Sequence, residues 1–382
     1  MLEPLTLTYQ SKAQPSPTTR TARKGLLYKS NTVVFSTPFY AFTTWDITTP
    51  SAPLFLSAYG SFGPSKECWD IAIVEDFSGW DWLHLPTRYY GYELWRRNAL
   101  NDWTRAWYCD VGPRSVGGVV AREFADGHMY SFLFGFGGCN ASLRIFRPTA
   151  GGPGLVRTLD PWNPMATLYL DVMGGALKDD YGDGKVYLFC TGGFPEGATT
   201  DALFVYDVTD PTAVPTLLDT GQSSLVAYNG YNQISILGNF LYRNCSSQIE
   251  CWDISDPTSV VNLGSAAGHS GTIIGPLSID QETEALVANT NVSLDQEYCL
   301  YKANGPGGMA RFQEEAYVSN ATFGDSKATL AHGGYAYVYH TDSVLGGQSV
   351  FAHKINGARC NFTGVPTTGP SQLDVQFTGY IE

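Results

Sequence analysis

The sequence predicts an all-β chain built from repeated four-stranded antiparallel units, and three observations carry that expectation. The first is a recurring phrase: "WDITTPSAPLFLS" from Trp45, "YDVTDPTAVPTLL" from Tyr206 and "WDISDPTSVVNLG" from Trp252. The second is a glycine turn that opens into an aromatic run, as in "DGHMYSF" (Asp126–Phe132), "DGKVYLF" (Asp183–Phe189), "LGNFLYR" (Leu237–Arg243) and "GGYAYVY" (Gly333–Tyr339). The third is spacing. An aromatic or equivalent residue near the end of a third strand falls at Trp45, Trp95, Phe146, Tyr206, Trp252, Tyr301 and His353, at intervals of 50, 51, 60, 46, 49 and 52 residues.

Each part of the unit has a local cause. Phe204 to Val208 is β-branched and aromatic, which suits a strand packed on both faces. Asp210 can accept from backbone N–H groups just ahead, and Pro211 presets φ for a tight turn. Proline has no N–H for a ladder, so the strand stops there. Val214 to Leu218 then reads as the returning strand. Upstream, Asp-Gly and Gly-Gly allow the positive φ that two-residue hairpin turns need. The unit is therefore strand, glycine turn, strand, short loop, strand ending in Trp/Tyr-Asp, proline turn, strand. Seven units of this length predict a seven-bladed β-propeller of four-stranded antiparallel blades, with six or eight still open. The expected layout is an extended N-terminal arm over 1–25, the propeller over 26–366 and a C-terminal strand or tail over 367–382. No helix longer than two turns is expected.

The combination Gly-x-Tyr-x-Tyr-Val, then apolar-Trp/Tyr-Asp-Val/Ile-Ser/Thr-Asp-Pro, resembles the LVIVD repeat of prokaryotic and viral surface proteins. "LGNFLYRNCSSQIECWDISDPTSV" (Leu237–Val260) matches best, and the likeness extends over residues 25–366. The second, third and sixth units depart from it, having no Asp-Pro turn after the anchor. "GHSGT" (Gly268–Thr272) is similar to the Gly-His opening of WD repeats, but occurs once. The resemblance implies a fold and brings no catalytic residues.

Composition narrows the partners. Net charge is −13 and charged residues make up only 15% of the chain, so a nucleic-acid partner is not expected. No run reaches the roughly 18 apolar residues that cross a bilayer. The opening "MLEPLTLTYQSKAQPSP" lacks the basic-then-apolar order of a signal peptide, so the expected location is a virion, or otherwise the cytoplasm at synthesis. Eight cysteines include no Cys-x-x-Cys, so zinc is unsupported and buried thiols are the expectation, with a Cys245–Cys251 pair the one conceivable bridge.

Several motifs approach chemistry and stop short. "DDYGDGK" (Asp179–Lys185) resembles a calcium loop, but its third position is Tyr181 and its twelfth would be Cys190. "GHSGT" nearly forms a nucleophile elbow at Ser270, but Thr272 replaces the closing glycine. His332, His340 and His353 fall on three successive strands and would converge only if they share a face. Five Asn-x-Ser/Thr sequons, at Asn140, Asn244, Asn291, Asn320 and Asn361, read as chance in a Ser/Thr-rich chain. No cofactor, no metal and no catalytic residue is expected.

Contact residues are easier to nominate. Gly79 to Tyr108 holds five Trp and four Tyr with Arg interleaved. Such residues bring large area and a polar tip at modest entropic cost. Trp80, Tyr89, Tyr90, Tyr92, Arg96, Arg97, Trp103 and Trp107 are the candidate contact surface, with Trp82 and Trp95 assigned to blade packing. Residues 1–25 carry +3 against −16 for the rest. They are expected to dock on the acidic body or on a neighbouring chain through Leu5, Leu7, Tyr9, Lys12, Arg20, Arg23 and Lys24, and Leu5–Tyr9 alternates with period two, so it can add a strand to a sheet edge. Leu373–Ile381 alternates with period two and can likewise add a strand. The leading expectation is a non-enzymatic structural or attachment component of a larger assembly, of a viral (phage-type) virion or tail kind, contacting neighbouring subunits and a host-surface glycan or protein. A free carbohydrate- or protein-binding module is the alternative, and a propeller glycosidase or lyase the second alternative.

Overall fold

The computed structural model describes residues 6–12, 24–37, 41–60, 68, 70–87, 91–109, 116–135, 143–148, 154–159, 171–193, 201–223, 234–245, 248–267, 272–291, 298–302, 314–318, 326–341, 348–356, 363–366 and 375–378. Among these the chain is β-strand and turn, with a single 3-10 turn at Lys29–Asn31. Six four-stranded antiparallel blades are each written by one continuous run: residues 25–59, 72–109, 116–159, 171–223, 234–267 and 272–318 for blades 1 to 6. Their strands lie in sequence order, from an inner strand on a central channel to an outer edge.

A further four-stranded sheet is composite. Ser326–His332, Tyr335–Thr341 and Gln348–Asn356 supply three strands, and Thr6–Lys12 comes from the other end of the chain to supply the fourth. Of the two docking partners expected for the N-terminal arm, its own chain is the one that Thr6–Lys12 meets, as an added strand. Leu7 and Tyr9 lie opposite Ile355 and His353, Lys12 lies opposite Phe351, and Lys24 opens blade 1; Leu5, Arg20 and Arg23 lie outside the described residues. The physical reason is an edge. Without Thr6–Lys12 the strand Gln348–Asn356 would show a row of unpaired backbone groups. At the other end, Thr363–Pro366 pairs with Val375–Thr378 as a two-stranded hairpin.

The units share an irregularity as well as a shape. Just before each anchor residue the pairing between third and outer strand slips by one, leaving an extra residue on the outer strand. These residues are Leu56 before Trp45, Ala106 before Trp95 and Val156 before Phe146. Leu218 precedes Tyr206, Leu263 precedes Trp252 and Glu315 precedes Tyr301 in the same way. The composite sheet has it too, at Gln10 opposite Ala352 and His353. A bulge bends and twists the strand that carries it. Thr6–Lys12 therefore stands in the same role as the outer strands of blades 1 to 6.

Among the described residues the core is seven apolar clusters, each shared by two adjacent sheets. Alternate residues of one strand serve opposite neighbours: Val33 and Phe35 face the composite sheet while Val34 faces blade 2. Burial on both faces is why these strands read as unbroken apolar runs. The anchors close the interfaces. Trp252 packs into the cluster between blades 4 and 5, where a Cβ on Gly221 would lie 2.3 Å from its ring. Its indole N–H donates to Glu250 at 2.9 Å, as Trp95 does to Glu93 at 2.9 Å and Trp45 to Thr43 at 3.1 Å. The acceptor sits two residues earlier each time, because residues i and i−2 of a strand share a face. Glu250 also pairs with the buried Arg243 and accepts from Asn262 at 2.7 Å.

The turns behave as their sequence dictates. Asp210 and Asp256 accept the N–H of Thr212 and Thr258 at 2.9 and 2.8 Å, just past the strand ends at Asp207 and Asp253. Asp126 and Asp183 do the same at the glycine turns, taking the N–H of His128 and Lys185 at 3.0 Å each and the hydroxyls of Tyr130 and Tyr187.

Two outcomes follow. Deleting Met1 to Lys12 should lower the melting temperature by about 5 °C or more and promote association through the bared edge, as read by calorimetry and gel filtration. Replacing Glu250 with Ala strands a buried guanidinium and should cost about 3–5 kcal/mol in urea unfolding, with Glu250→Gln clearly milder because it keeps an acceptor for Trp252.

Candidate functional site

The inner strands surround a channel of about 730 Å³. Its wall is largely aliphatic, with Leu26, Ile73, Leu177, Ile236, Ile279 and Leu330 from six different sheets. Ion pairs between adjacent blades mark its two ends. Lys24 meets Asp70 at 2.5 Å where the inner strands begin, and Arg122 meets Asp179 at 2.6 Å where they finish. Asp70 also accepts the N–H groups of Ile71 and Val119 at 2.8 and 2.9 Å, tying blade 2 to blade 3. The channel hydroxyls serve the ring in the same way. Ser235 donates to the Leu277 carbonyl at 2.7 Å, and Ser278 accepts from the Ala331 N–H at 2.8 Å.

A second cavity, about 300 Å³, opens between blades 1 and 2 on the face that carries the first hairpin turn of each blade. Its floor is a closed polar network. The Asp81 carboxylate accepts the Tyr28 hydroxyl at 2.5 Å, the Lys29 ammonium at 2.9 Å and the Asp76 N–H at 2.9 Å. Burial pushes the Asp81 carboxyl up, but those donors more than offset it and hold it below the usual aspartate value. Burial, and then the bond to Asp81, pushes the Tyr28 hydroxyl well up. The same carboxylate raises Lys29. Two turns here hold non-glycine residues in the left-handed region: Lys29 at φ 42°, and Asp76 and Ser78 at 55° and 52°. The Lys29 N–H is fixed by Glu75 at 2.9 Å. Arg97 lines the cleft with its guanidinium 5.8 Å from the Tyr28 ring centre.

The structure splits the expected aromatic contact surface. Trp80 and Arg96 are half-buried and stack, guanidinium 4.4 Å from the indole centre, and Arg97 belongs to the cleft. Trp107 is half-buried against the cluster between blades 2 and 3. Tyr92 and Trp103 are corrected to core residues. Trp103 packs edge-on against Tyr28 and Phe42 at 5.4 and 5.7 Å, and Tyr92 is fully buried. Large side chains in blade 2 fill two blade interfaces before any are left for the surface. Tyr89 and Tyr90 lie outside the described residues. Sequence reasoning missed Tyr28, Lys29 and Asp81, because nothing in "LYKSN" or "GWDWL" tells that blades 1 and 2 bring them together.

Nucleophile and metal motifs gain no site among the described residues. Cys68, Cys190, Cys245 and Cys251 are buried thiols outside any disulfide, and burial pushes the Cys251 thiol up to about 12. His84 lies 2.9 Å from the Ser131 hydroxyl and 2.5 Å from that of Tyr92, an arrangement the sequence did not disclose. All three are sealed from solvent, and burial lowers His84 to about 3, so it is a neutral link between blades 2 and 3. His332 and His340 stand at opposite ends of one strand pair, opposite Tyr335 and Ser326, so the three histidines do not converge. Asp179–Lys185 lies in the connection between the first two strands of blade 4. Asn244 is buried, and Ser270 lies outside the described residues.

No protein-family model matches the chain, and no curated protein matches it in sequence. Solved structures match its fold. A Lactobacillus plantarum protein aligns at TM-score 0.53 and 11% identity, covering 93% of this chain and 97% of its own. The WD40 β-propeller domain of Doa1 aligns at TM-score 0.53 and 9% identity, covering 91% and 96%. A candidate 6-phosphogluconolactonase from Bacteroides uniformis aligns at TM-score 0.58 and 13% identity, covering 87% and 93%. The chain is a β-propeller of four-stranded antiparallel blades.

The cleft network makes a pH prediction. Because Asp81 is held below its ordinary value of 3.8, its contribution to stability is whole above that value and drains away as pH falls through the lower folded value. Asp81→Asn should therefore cost about 1–3 kcal/mol near neutrality. Its deficit against the parent should shrink below about pH 4, as measured by unfolding across pH.

Proposed function

We propose that this protein works by surface contact and not by catalysis, as a structural or attachment component of a larger assembly, with the composite sheet as the seventh, ring-closing blade. The observation that carries the reading is the rim shared by blades 1 and 2. Leu54, Leu56 and Leu100 are 54%, 48% and 91% exposed on these two blades, and Leu56 and Arg97 line the cleft between them. Exposed leucines beside a cleft that holds Tyr28 and Arg97 have the chemistry of a binding hot spot. Thr6–Lys12 no longer supports an assembly role, since it is spent inside its own sheet.

A virion or tail component is the setting that the low charge content and the LVIVD-like turns of blades 1, 4 and 5 favour. The likeness to a candidate 6-phosphogluconolactonase brings fold alone. The buried thiols and the sealed Ser131–His84 pair speak for packing.

Sedimentation of native extract followed by cross-linking mass spectrometry tests this. The chain should sediment as part of a large particle, with inter-protein cross-links concentrated on blades 1 and 2. A chain that sediments as a free monomer, or whose cross-links avoid these blades, overturns the reading.

A further inference from the structure

We propose that the cleft between blades 1 and 2 receives the carboxylate side chain of a protein segment, with Arg97 as its counter-charge and Leu56 and Leu100 as the apolar contacts on either side. The inference rests on the contact reading above and names the chemistry of the partner.

Four charges line the cleft, and three are already committed. Lys29 and Asp81 pair at 2.9 Å, and Asp46 accepts the Thr48 N–H at 2.7 Å. Arg97 is different: it stands opposite Asp81 in the strand pair and 5.8 Å from the Tyr28 ring centre, but the Asp81 oxygens are taken by Tyr28, Lys29 and the Asp76 N–H, and among the described residues its guanidinium has no hydrogen-bond or ion-pair acceptor. On a chain of net charge −13, acceptors are plentiful, yet the fold leaves this half-buried guanidinium without one. A guanidinium presents a planar fork of donors that matches a carboxylate in two parallel bonds, and partial desolvation in a cleft strengthens them.

The rim decides between a small anion and a peptide. Leu56 lines the cleft and Leu100 adjoins Ala99, which also lines it. The Asn98 side chain accepts the Leu100 N–H at 3.0 Å and so fixes the turn that presents it. A free anion would leave both leucines in water, whereas an Asp or Glu between apolar residues would cover them. The site is built in advance. The strained Lys29 and Asp76 backbones are held by Glu75 and Asp81, so little ordering cost remains for a ligand to meet.

The test is an array of immobilised Gly/Ser-flanked Leu-Xaa-Leu peptides, with Xaa Asp, Glu, Asn, Gln or Lys, probed with the full chain. The parent should retain on Asp or Glu peptides about tenfold more strongly than on their amides, equivalent to about 1.4 kcal/mol. Arg97→Ala should erase that difference, Arg97→Lys should keep part of it, and Leu100→Ser should weaken retention several-fold. Lys185→Ala, a charge change on an exposed turn of blade 4, should do nothing. Unchanged melting temperatures exclude misfolding as the cause. Equal retention of acids and amides, retention indifferent to Arg97→Ala, or no retention at all would overturn the assignment. So would selective binding to uronate-terminated glycans on a parallel glycan array. If the carboxylate assignment fails while native cross-links still gather on blades 1 and 2, only the partner chemistry is wrong; failure of both removes the contact surface itself.

Discussion

Every sheet in this ring has two apolar faces, and it can hide them only against its neighbours. Blade 1 shows the requirement plainly: Phe42 packs toward Trp95 of blade 2 at 5.3 Å while Phe35 packs toward Tyr339 of the composite sheet at 5.1 Å. An open ring would leave one face of the first sheet and one of the last in water. Burial is worth roughly 25 cal/mol per Å² of apolar surface, so two bare sheet faces would remove a large part of a marginal stability. The composite sheet removes the problem by taking its strands from both ends of the chain.

Closure also explains why the interfaces tolerate so much polarity. Hydrogen bonds run between blades at nearly every step, including Tyr181 to the Ile254 carbonyl at 2.5 Å and Asp280 to the Gly333 and Gly334 N–H groups at 3.1 and 2.8 Å. These bonds form between neighbours already held in place by packing, so their ordering cost is small. The cleft is one such polar step widened. Blades 1 and 2 end in Tyr28, Lys29 and Asp81, and the cleft opens above their network.

Blade 2 shows how much of a site was legible beforehand. Its aromatic density was plain in the sequence, and half-buried Trp80, Arg96, Arg97 and Trp107 were among the residues nominated from it. Tyr92 and Trp103 were nominated too, and they are core. In a strand buried on both faces the period-two alternation carries no outward label, so composition cannot say which aromatic is left at the surface. The floor of the cleft was illegible for another reason: Tyr28 and Asp81 are 53 residues apart and meet only when two blades pack.

The sequence by itself determined the strands, the turns and the repeat. Glycine's access to positive φ, proline's missing N–H and the Asp side chain's reach to an N–H two residues on all act within a few residues, so they can be read in place. The anchor positions were legible too, and a bulge in the same register marks each of them. Tertiary structure alone decided that Thr6–Lys12 lies against Gln348–Asn356 instead of on a neighbour, and that Arg97 is left facing an open cleft. Both are choices among distant partners that local patterning makes equally available: any alternating segment fits any open edge, and any arginine fits any carboxylate. Which one is met depends on the ring's geometry, and that is set by the packing of all its sheets at once.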